Sequence, residues 1–229
     1  MIDLIAFDAD DTLWGNENYF YQTQNEYAQI LSDYGCKEAV LERLHSTEIK
    51  NLKLYGYGVK SYTLSMIEAA LSLSFREVPG ELVAKILALG AKMLTEPVQP
   101  MIHVQHVLEQ LSQDHDLITI TKGDLLDQNR KMKKSGLANY FSDVIVVSEK
   151  DDAAYQQIID SRQIKAANFL MVGNSMKSDI VPVLNIGGYG VHVPYEFTWE
   201  HEKLAEPVQH DKLFEINSMN EILDLKFFN

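Results

Sequence analysis

Cysteine and positive charge are both scarce in this 229-residue sequence. The lone cysteine, Cys36, excludes an intramolecular disulfide and a cysteine-rich zinc site. A reducing, cytoplasmic setting is therefore the expectation. Only 20 lysines and arginines stand against 33 aspartates and glutamates, a net charge of −13. Such a chain is a poor match for the phosphate backbone of a nucleic-acid polymer or for an anionic membrane surface. The global charge does not exclude a small anionic substrate, because a local site can oppose it. No run of about 18 apolar residues is present, so no bilayer span is expected. Asp3 and Asp8 interrupt the apolar stretch near the start, so no signal peptide is expected either. Internal repeats and low-complexity tracts are missing too. What is present, 46% hydrophobic and 23% charged residues, is a globular composition on a chain long enough for a substantial core.

Hydrophobic patterning organises the chain into two kinds of segment. Residues 1–7 form a short apolar run bounded by polar residues, which predicts a buried parallel strand. Further strands are predicted over 116–121, 144–147, 169–172 and 190–193. Helices alternate with them over 125–135, 152–162 and 179–185, with Gly136 and Gly187-Gly188 as stop signals. Repeated β-α units imply an α/β fold, a doubly wound parallel sheet covered by helices on both faces. Residues 15–97 break this rhythm. They read as four helices, over 18–34, 39–52, 62–73 and 81–94, and are far longer than an ordinary βα connection. The expectation is a core of residues 1–14 and 98–229 with an inserted α-helical cap of residues 15–97. Pro97 and Pro100 mark the return, with Pro100 expected to begin a helix over 103–111.

Chemistry concentrates where strands end. Asp8-Ala9-Asp10-Asp11-Thr12 directly follows the first strand, and ligands of parallel sheets bind outside the carboxyl ends of the strands. Two carboxylates two residues apart can supply a nucleophile, an acid/base and a magnesium seat. Taken alone the motif is an acidic turn. Thr121 ends the next strand before Lys122-Gly123-Asp124, where a hydroxyl beside a helix N-terminus can hold a phosphoryl oxygen. Singly, Thr121 reads as a helix cap and Lys150, after the 144–147 strand, as a solvated lysine. An ammonium at Lys150 is also placed to neutralise Asp8 and a bound phosphate. Asn174 and Asp179, after the next strand, offer the amide and carboxylate oxygens that magnesium takes.

The ordered set DADDT, TITKGD, VVSEK and VGNSMKSD resembles the four motifs of the haloacid dehalogenase superfamily of aspartate-nucleophile hydrolases, from end to end of the chain. The 15–97 insertion is similar to the helical cap that one branch of that family carries between its first two motifs, on a Rossmann-like core. The resemblance implies a Mg2+-dependent phosphatase in which Asp8 forms an aspartyl-phosphate and Asp10 protonates the leaving oxygen and then activates water. Thr121, the Lys122 region and Lys150 would hold or neutralise the transferring oxygens. The metal ligands would be the Asp8 carboxylate, the Asp10 carbonyl and Asn174, with Asp179 in direct contact or one step behind. The family usually has aspartate where this chain has Asn174, which removes one negative charge from the metal site and predicts weaker metal binding.

Other reactions within the resemblance are a sugar-phosphate mutase, a phosphonatase with Lys53 or Lys60 as imine former, and a dehalogenase. Dehalogenases of the family typically lack an aspartate where this chain has Asp10, which favours phosphoryl transfer. The substrate would be a small phosphorylated metabolite, chosen by the cap, with the oligomeric state left open. The loop Tyr55-Gly56-Tyr57-Gly58-Val59-Lys60 has two readings: substrate contact through Tyr57 and Lys60, or a plain helix–helix turn. Trp14, Asn16 and Glu17 are expected to face the cleft, Trp199-Glu200-His201-Glu202 to form a surface loop, and His192 to end a strand. His103 and His106 lack the further ligands that zinc needs. Two rivals stand outside the enzyme reading. A signalling receiver domain would need its phosphoacceptor aspartate after a third strand, and a non-catalytic scaffold of the same fold has only Asn174 in its favour.

Overall fold

In the computed structural model the described residues are all but Met1, Phe75, Arg76, Thr198, Lys203, Ala205 and Asn229. Six strands form one sheet: β1 (Leu4–Phe7), β2 (Asp116–Lys122), β3 (Asp143–Val147), β4 (Phe169–Gly173), β5 (Tyr189–His192) and β6 (Leu213–Glu215). Their order is β3-β2-β1-β4-β5-β6 and every neighbouring pair is parallel. The winding reverses between β1 and β4, and such a switch point opens a crevice at the strands' carboxyl ends. The register fixes what leaves the sheet there. Phe7 pairs with Val172 and Thr119 with Phe7, so Asp8 and the Gly173-Asn174 step emerge side by side. The backbone N–H of Asp8 still donates to the carbonyl of Val172 at 2.8 Å.

Side-chain alternation along β1 builds two cores. Ile5 and Phe7 pack on one face with Leu117, Leu170 and Val172, under helix α5 (Val104–Leu111). Leu4 and Ala6 point the other way, to Ile118, Ile120, Phe169 and Met171, against Tyr155, Ile158 and Ile159 of helix α7 (Asp152–Ser161). The expected doubly wound α/β sheet is therefore the observed fold. Strand β6 was not signalled by the sequence. Its three residues are half-exposed at the sheet edge and carry no strong apolar run. Pro100 does not begin a helix. It forms an antiparallel bridge with Trp14, and His103, with a φ of 68°, precedes α5.

The chain divides into two compact units: Met1–Glu17 with Val98–Lys122 and Gln128–Asn229, and Asn18–Pro97 with Gly123–Asp127. The second is helical, built from α1 (Glu17–Ile30), α2 (Lys37–Tyr55), α3 (Val59–Leu73) and α4 (Gly80–Thr95). Its own core contains Tyr27, Leu31, Leu44, Tyr62, Met66 and Ile86. The hydroxyl of Tyr27 donates to the carbonyl of Met66 at 2.8 Å, so this buried phenol is satisfied. Between α2 and α3, Gly56 and Gly58 take φ values of 70° and 103°, a turn that a side chain would strain. Among the described residues no helix is long and apolar enough to cross a membrane.

Candidate active site

The site is built from turns that follow β1, β2, β3 and β4, with helix α6 (Leu125–Ser135) contributing two side chains. Asp8 is the first residue past β1 and is buried. Lys150, also buried, donates to Asp8 Oδ1 and, at 2.6 Å, to Asp179 Oδ1. Withdrawal from water pushes the Asp8 carboxyl up to about 7, against the opposing pull of Lys150. Burial alone would pull the Lys150 ammonium down. Asp179 and Asp8 more than offset that and raise it, so the cation is retained inside the protein.

Asp179 is reached through a turn made for it. Ser175 caps a π-helical turn, Met176–Ile180, by accepting from Ser178 N at 3.0 Å, and helix α8 (Val181–Asn185) continues it. The helix predicted over 179–185 thus starts differently, because the chain widens into a π turn first, a feature common at functional sites. Asp179 Oδ2 accepts from Ser175 N at 2.9 Å. Any Cβ on Gly173 would sit 2.3 Å from that same oxygen, so glycine is required where the carboxylate packs on the backbone.

Thr12, unassigned from the sequence, joins the first and last motifs. Its hydroxyl lies 3.0 Å from Asp8 Oδ2 and 3.2 Å from Asn174 Oδ1 and accepts from Asn174 N at 3.1 Å. His192, at the end of β5 as expected, meets the carbonyl of Asn174 at 3.0 Å. A carboxylate oxygen and an amide oxygen thus converge on one hydroxyl, a donor set suited to a hard divalent cation rather than to zinc. No group of three His, Cys, Asp or Glu that could hold a metal occurs among the described residues, so the fit rests on the Asp8–Asn174 oxygen pair. Both Asp179 oxygens are already engaged, by Lys150 and by Ser175 N.

Asp10 has a separate environment. Lys131 Nζ bridges its two oxygens at 2.9 and 3.0 Å, Gln128 Nε2 reaches Oδ2 at 2.8 Å and the Trp14 indole N–H reaches Oδ1 at 2.7 Å. Lys131 also donates to Asn16 Oδ1 at 2.6 Å. Trp14, expected to face a cleft, is instead buried in the core, because its ring packs with Phe7 and Leu13 while its N–H turns to Asp10. Asp11, with a φ of 64°, accepts from the N–H groups of Asn16 and Glu17 and so starts helix α1. Burial pushes its carboxyl up to about 7, opposed by those donors.

Of the residues singled out in the sequence, Asp8, Lys150 and Asp179 are in direct contact, and Thr12 links Asn174 to them. Thr121 is buried at the end of β2, with a long 3.3 Å bond to the Lys122 carbonyl. Lys122 Nζ is taken up by Glu202 at 2.5 Å and Ser178 Oγ at 3.0 Å. The expectation of a surface loop at 199–202 is corrected here. Glu202, in a short 3-10 turn, is largely buried, because Lys122, Ser175 and Ser178 supply partners for its carboxylate. Tyr57 and Lys60 lie in the helical unit, where Lys60 pairs with Asp124 at 2.9 Å. Lys131 and Gln128 were legible only as neighbours three apart on one helix, and nothing local marked Glu202.

Comparison with known proteins bears on the family and the fold. The family model of haloacid dehalogenase-like hydrolases matches residues 2–187. A haloacid dehalogenase-like hydrolase from Xanthomonas campestris is 36% identical, over 96% of this chain and 88% of that one, with a TM-score of 0.86. A predicted phosphoglycolate phosphatase from Haemophilus somnus 129PT shares 17% identity over 97% of both chains, with a TM-score of 0.65. A 2-haloacid dehalogenase from Pseudomonas syringae pv. tomato DC3000 shares 19%, over 98% of this chain and 97% of that one, also at 0.65. Likeness at these lower identities speaks to the fold alone. No curated protein matches. With the motifs in order at the strand ends and the family model spanning most of the sequence, the chain belongs to the haloacid dehalogenase-like hydrolases.

Proposed function

We propose that this hydrolase is a Mg2+-dependent phosphatase acting on a small phosphorylated metabolite through an aspartyl-phosphate on Asp8. The observation that carries the reading is Asp10. A carboxylate two residues beyond the nucleophile is gripped by Trp14, Gln128 and Lys131, and displacement of a halide has no need for a proton carrier there. Mg2+ would be held by the Asp8 carboxylate, the Asp10 carbonyl and Asn174, with Asp179 anchoring Lys150. When bound, the cation neutralises phosphoryl oxygens and offsets the charge that a loose transition state places on them.

The chain's own groups account for the remaining steps. An Asp8 oxygen attacks phosphorus as the ester P–O bond breaks, and Asp10, which must enter this step as the carboxylic acid, gives its proton to the departing oxygen and is left as the carboxylate. Asp10 then takes a proton from water, which attacks the phosphorus of the acyl phosphate and releases inorganic phosphate and free Asp8. Lys150 compensates the phosphoryl charge and Thr121 orients one of its oxygens.

The test is phosphate release from an aryl phosphate with Mg2+, with chelator and in the Asp8→Asn variant. Turnover should need Mg2+ and fall by at least about a thousandfold in the variant, with circular dichroism unchanged. Halide release from a 2-haloacid without phosphatase activity would sink the reading in favour of the dehalogenase one. Phosphoryl transfer between sugar hydroxyls without phosphate release would identify a mutase.

A further inference from the structure

We propose that Glu202 is a positioning residue, one that locks the turn carrying Asn174 and Asp179, and with it the Lys122 ammonium, into the arrangement the cation and the phosphoryl group require. The inference rests on the phosphatase reading for the purpose of that arrangement, while the arrangement itself is a matter of contacts. Glu202 Oε2 receives the hydroxyls of both Ser175 and Ser178 at 2.5 Å, and Oε1 receives Lys122 Nζ at 2.5 Å. Lys122 Nζ closes the ring by reaching Ser178 Oγ at 3.0 Å. The segment is tied down a second time, by Lys177 Nζ donating to the carbonyl of His201 at 2.7 Å.

The two serines are the neighbours in sequence of the residues that matter. Ser175 follows Asn174 and Ser178 precedes Asp179. Ser175 holds the turn through three atoms at once: its hydroxyl oxygen accepts from Ser178 N, its hydroxyl proton goes to Glu202, and its own N–H goes to Asp179 Oδ2. Asp179 then holds Lys150, which holds Asp8. A carboxylate withdrawn from water is costly unless its partners replace the lost hydration. Burial would raise the Glu202 carboxyl, yet Lys122 and the two serines bring it down to about 2, so the anion is fixed in place at working pH. One side chain thereby joins the end of β2 to the turn after β4.

The experiment uses the full chain as wild type, Glu202→Ala and Glu202→Gln. Hydrogen exchange, measured without metal, should accelerate in Glu202→Ala at the amides of Ser178 and Asp179, with the β1 and β4 amides unchanged. Uniform acceleration across the sheet would reduce Glu202 to a general stabiliser and overturn the proposal. Calorimetric titration with Mg2+ alone should show affinity weakened about tenfold in Glu202→Ala, the usual cost of losing a group that orients metal ligands. Glu202→Gln, whose amide oxygen still accepts from both serines, should lose less affinity but raise KM for an aryl phosphate through the loosened Lys122. It is also the arm to use if the alanine variant fails to fold. Wild-type Mg2+ affinity in both variants would overturn the positioning role and leave the phosphatase reading standing. No Mg2+ binding by the wild type would overturn both.

Discussion

The ion pairs of the helical unit and those gathered at the strand ends of the α/β unit treat charge in opposite ways. In the helical unit the ion pairs Lys50–Glu68, Lys60–Asp124, Lys85–Glu81 and Lys92–Glu26 lie at the surface, with every lysine side chain at least half exposed. At the strand ends of the α/β unit, Lys150 pairs with Asp8 and Asp179 at 2% side-chain exposure, and Lys131–Asp10 and Lys122–Glu202 are mostly buried. Surface pairs cost the chain little and contribute little. Buried charges cost several kcal/mol each to desolvate, and a hydrophobic replacement would often be no less stable. Charge retained at that cost, clustered where a parallel sheet opens, is the physical mark of a site built for chemistry.

The sharpest way to break this contrast is Lys150→Met. Removal of the ammonium strands two carboxylates in a buried space, so stability in chelator at pH 8 should fall by about 3–5 kcal/mol. With the cation gone, the folded variant gains by taking up a proton on Asp8, whose carboxyl burial already raises, so the deficit should shrink as pH is lowered towards 5. Urea denaturation at the two pH values measures both. A loss below about 1 kcal/mol would put the buried pair on a par with a surface one.

Asp11 carries the next largest effect. Its folded-state carboxyl stands at about 7, above its unfolded value, so the folded protein binds the extra proton between roughly pH 4 and 7. Stability from this group is present at the acid end of that window and is lost as pH rises through it. Asp11→Asn keeps an oxygen for the N–H groups of Asn16 and Glu17 and tolerates the positive φ, but it cannot ionise. In chelator the variant should match the wild type near pH 4 and exceed it at pH 8 by up to about 4 kcal/mol, the full worth of a carboxyl raised from about 4 to about 7. A variant less stable than wild type at pH 8 would mean that the helix-starting hydrogen bonds outweigh burial.

The same contrast explains what could be read in the sequence. Asp8, Thr121, Lys150, Asn174 and Asp179 each stand shortly after an apolar run, so strand prediction alone carries them to one edge of the sheet. The helical insertion was legible because about eighty residues without a strand signal cannot be a loop. Partners that arrive from elsewhere left no such trace. Lys131 and Gln128 sit on a polar helix where any lysine or glutamine would be unremarkable, and Glu202 joins Ser175 and Ser178 only because the chain after β5 folds back over them. Lys131→Met tests one of these partners. With Gln128 and Trp14 still holding Asp10, kcat on an aryl phosphate should fall about tenfold, roughly 1.4 kcal/mol, with KM little changed. Lys131→Arg should recover most of it, and an unchanged kcat would remove Lys131 from the site.

The smallest effect belongs to Lys60. Its ammonium faces the Asp124 carboxylate at 2.9 Å in a setting where the lysine side chain is 53% exposed, so water competes for both partners. Lys60→Ala should change stability by no more than about 0.5 kcal/mol, and added salt should erase even that. The hydrogen bond from Lys60 also holds the Asp124 carboxyl below its usual range, which ties the lysine to that partner rather than leaving it as a spare cation. A role for Lys60 or Tyr57 in choosing substrates makes a different demand: the ranking across a panel of phosphorylated metabolites should change in Lys60→Ala and Tyr57→Ala while stability stays put. An unchanged ranking in both variants would reduce the Gly56–Gly58 turn to a connection between two helices, and would leave the buried charges at the strand ends as the whole of the recognition chemistry.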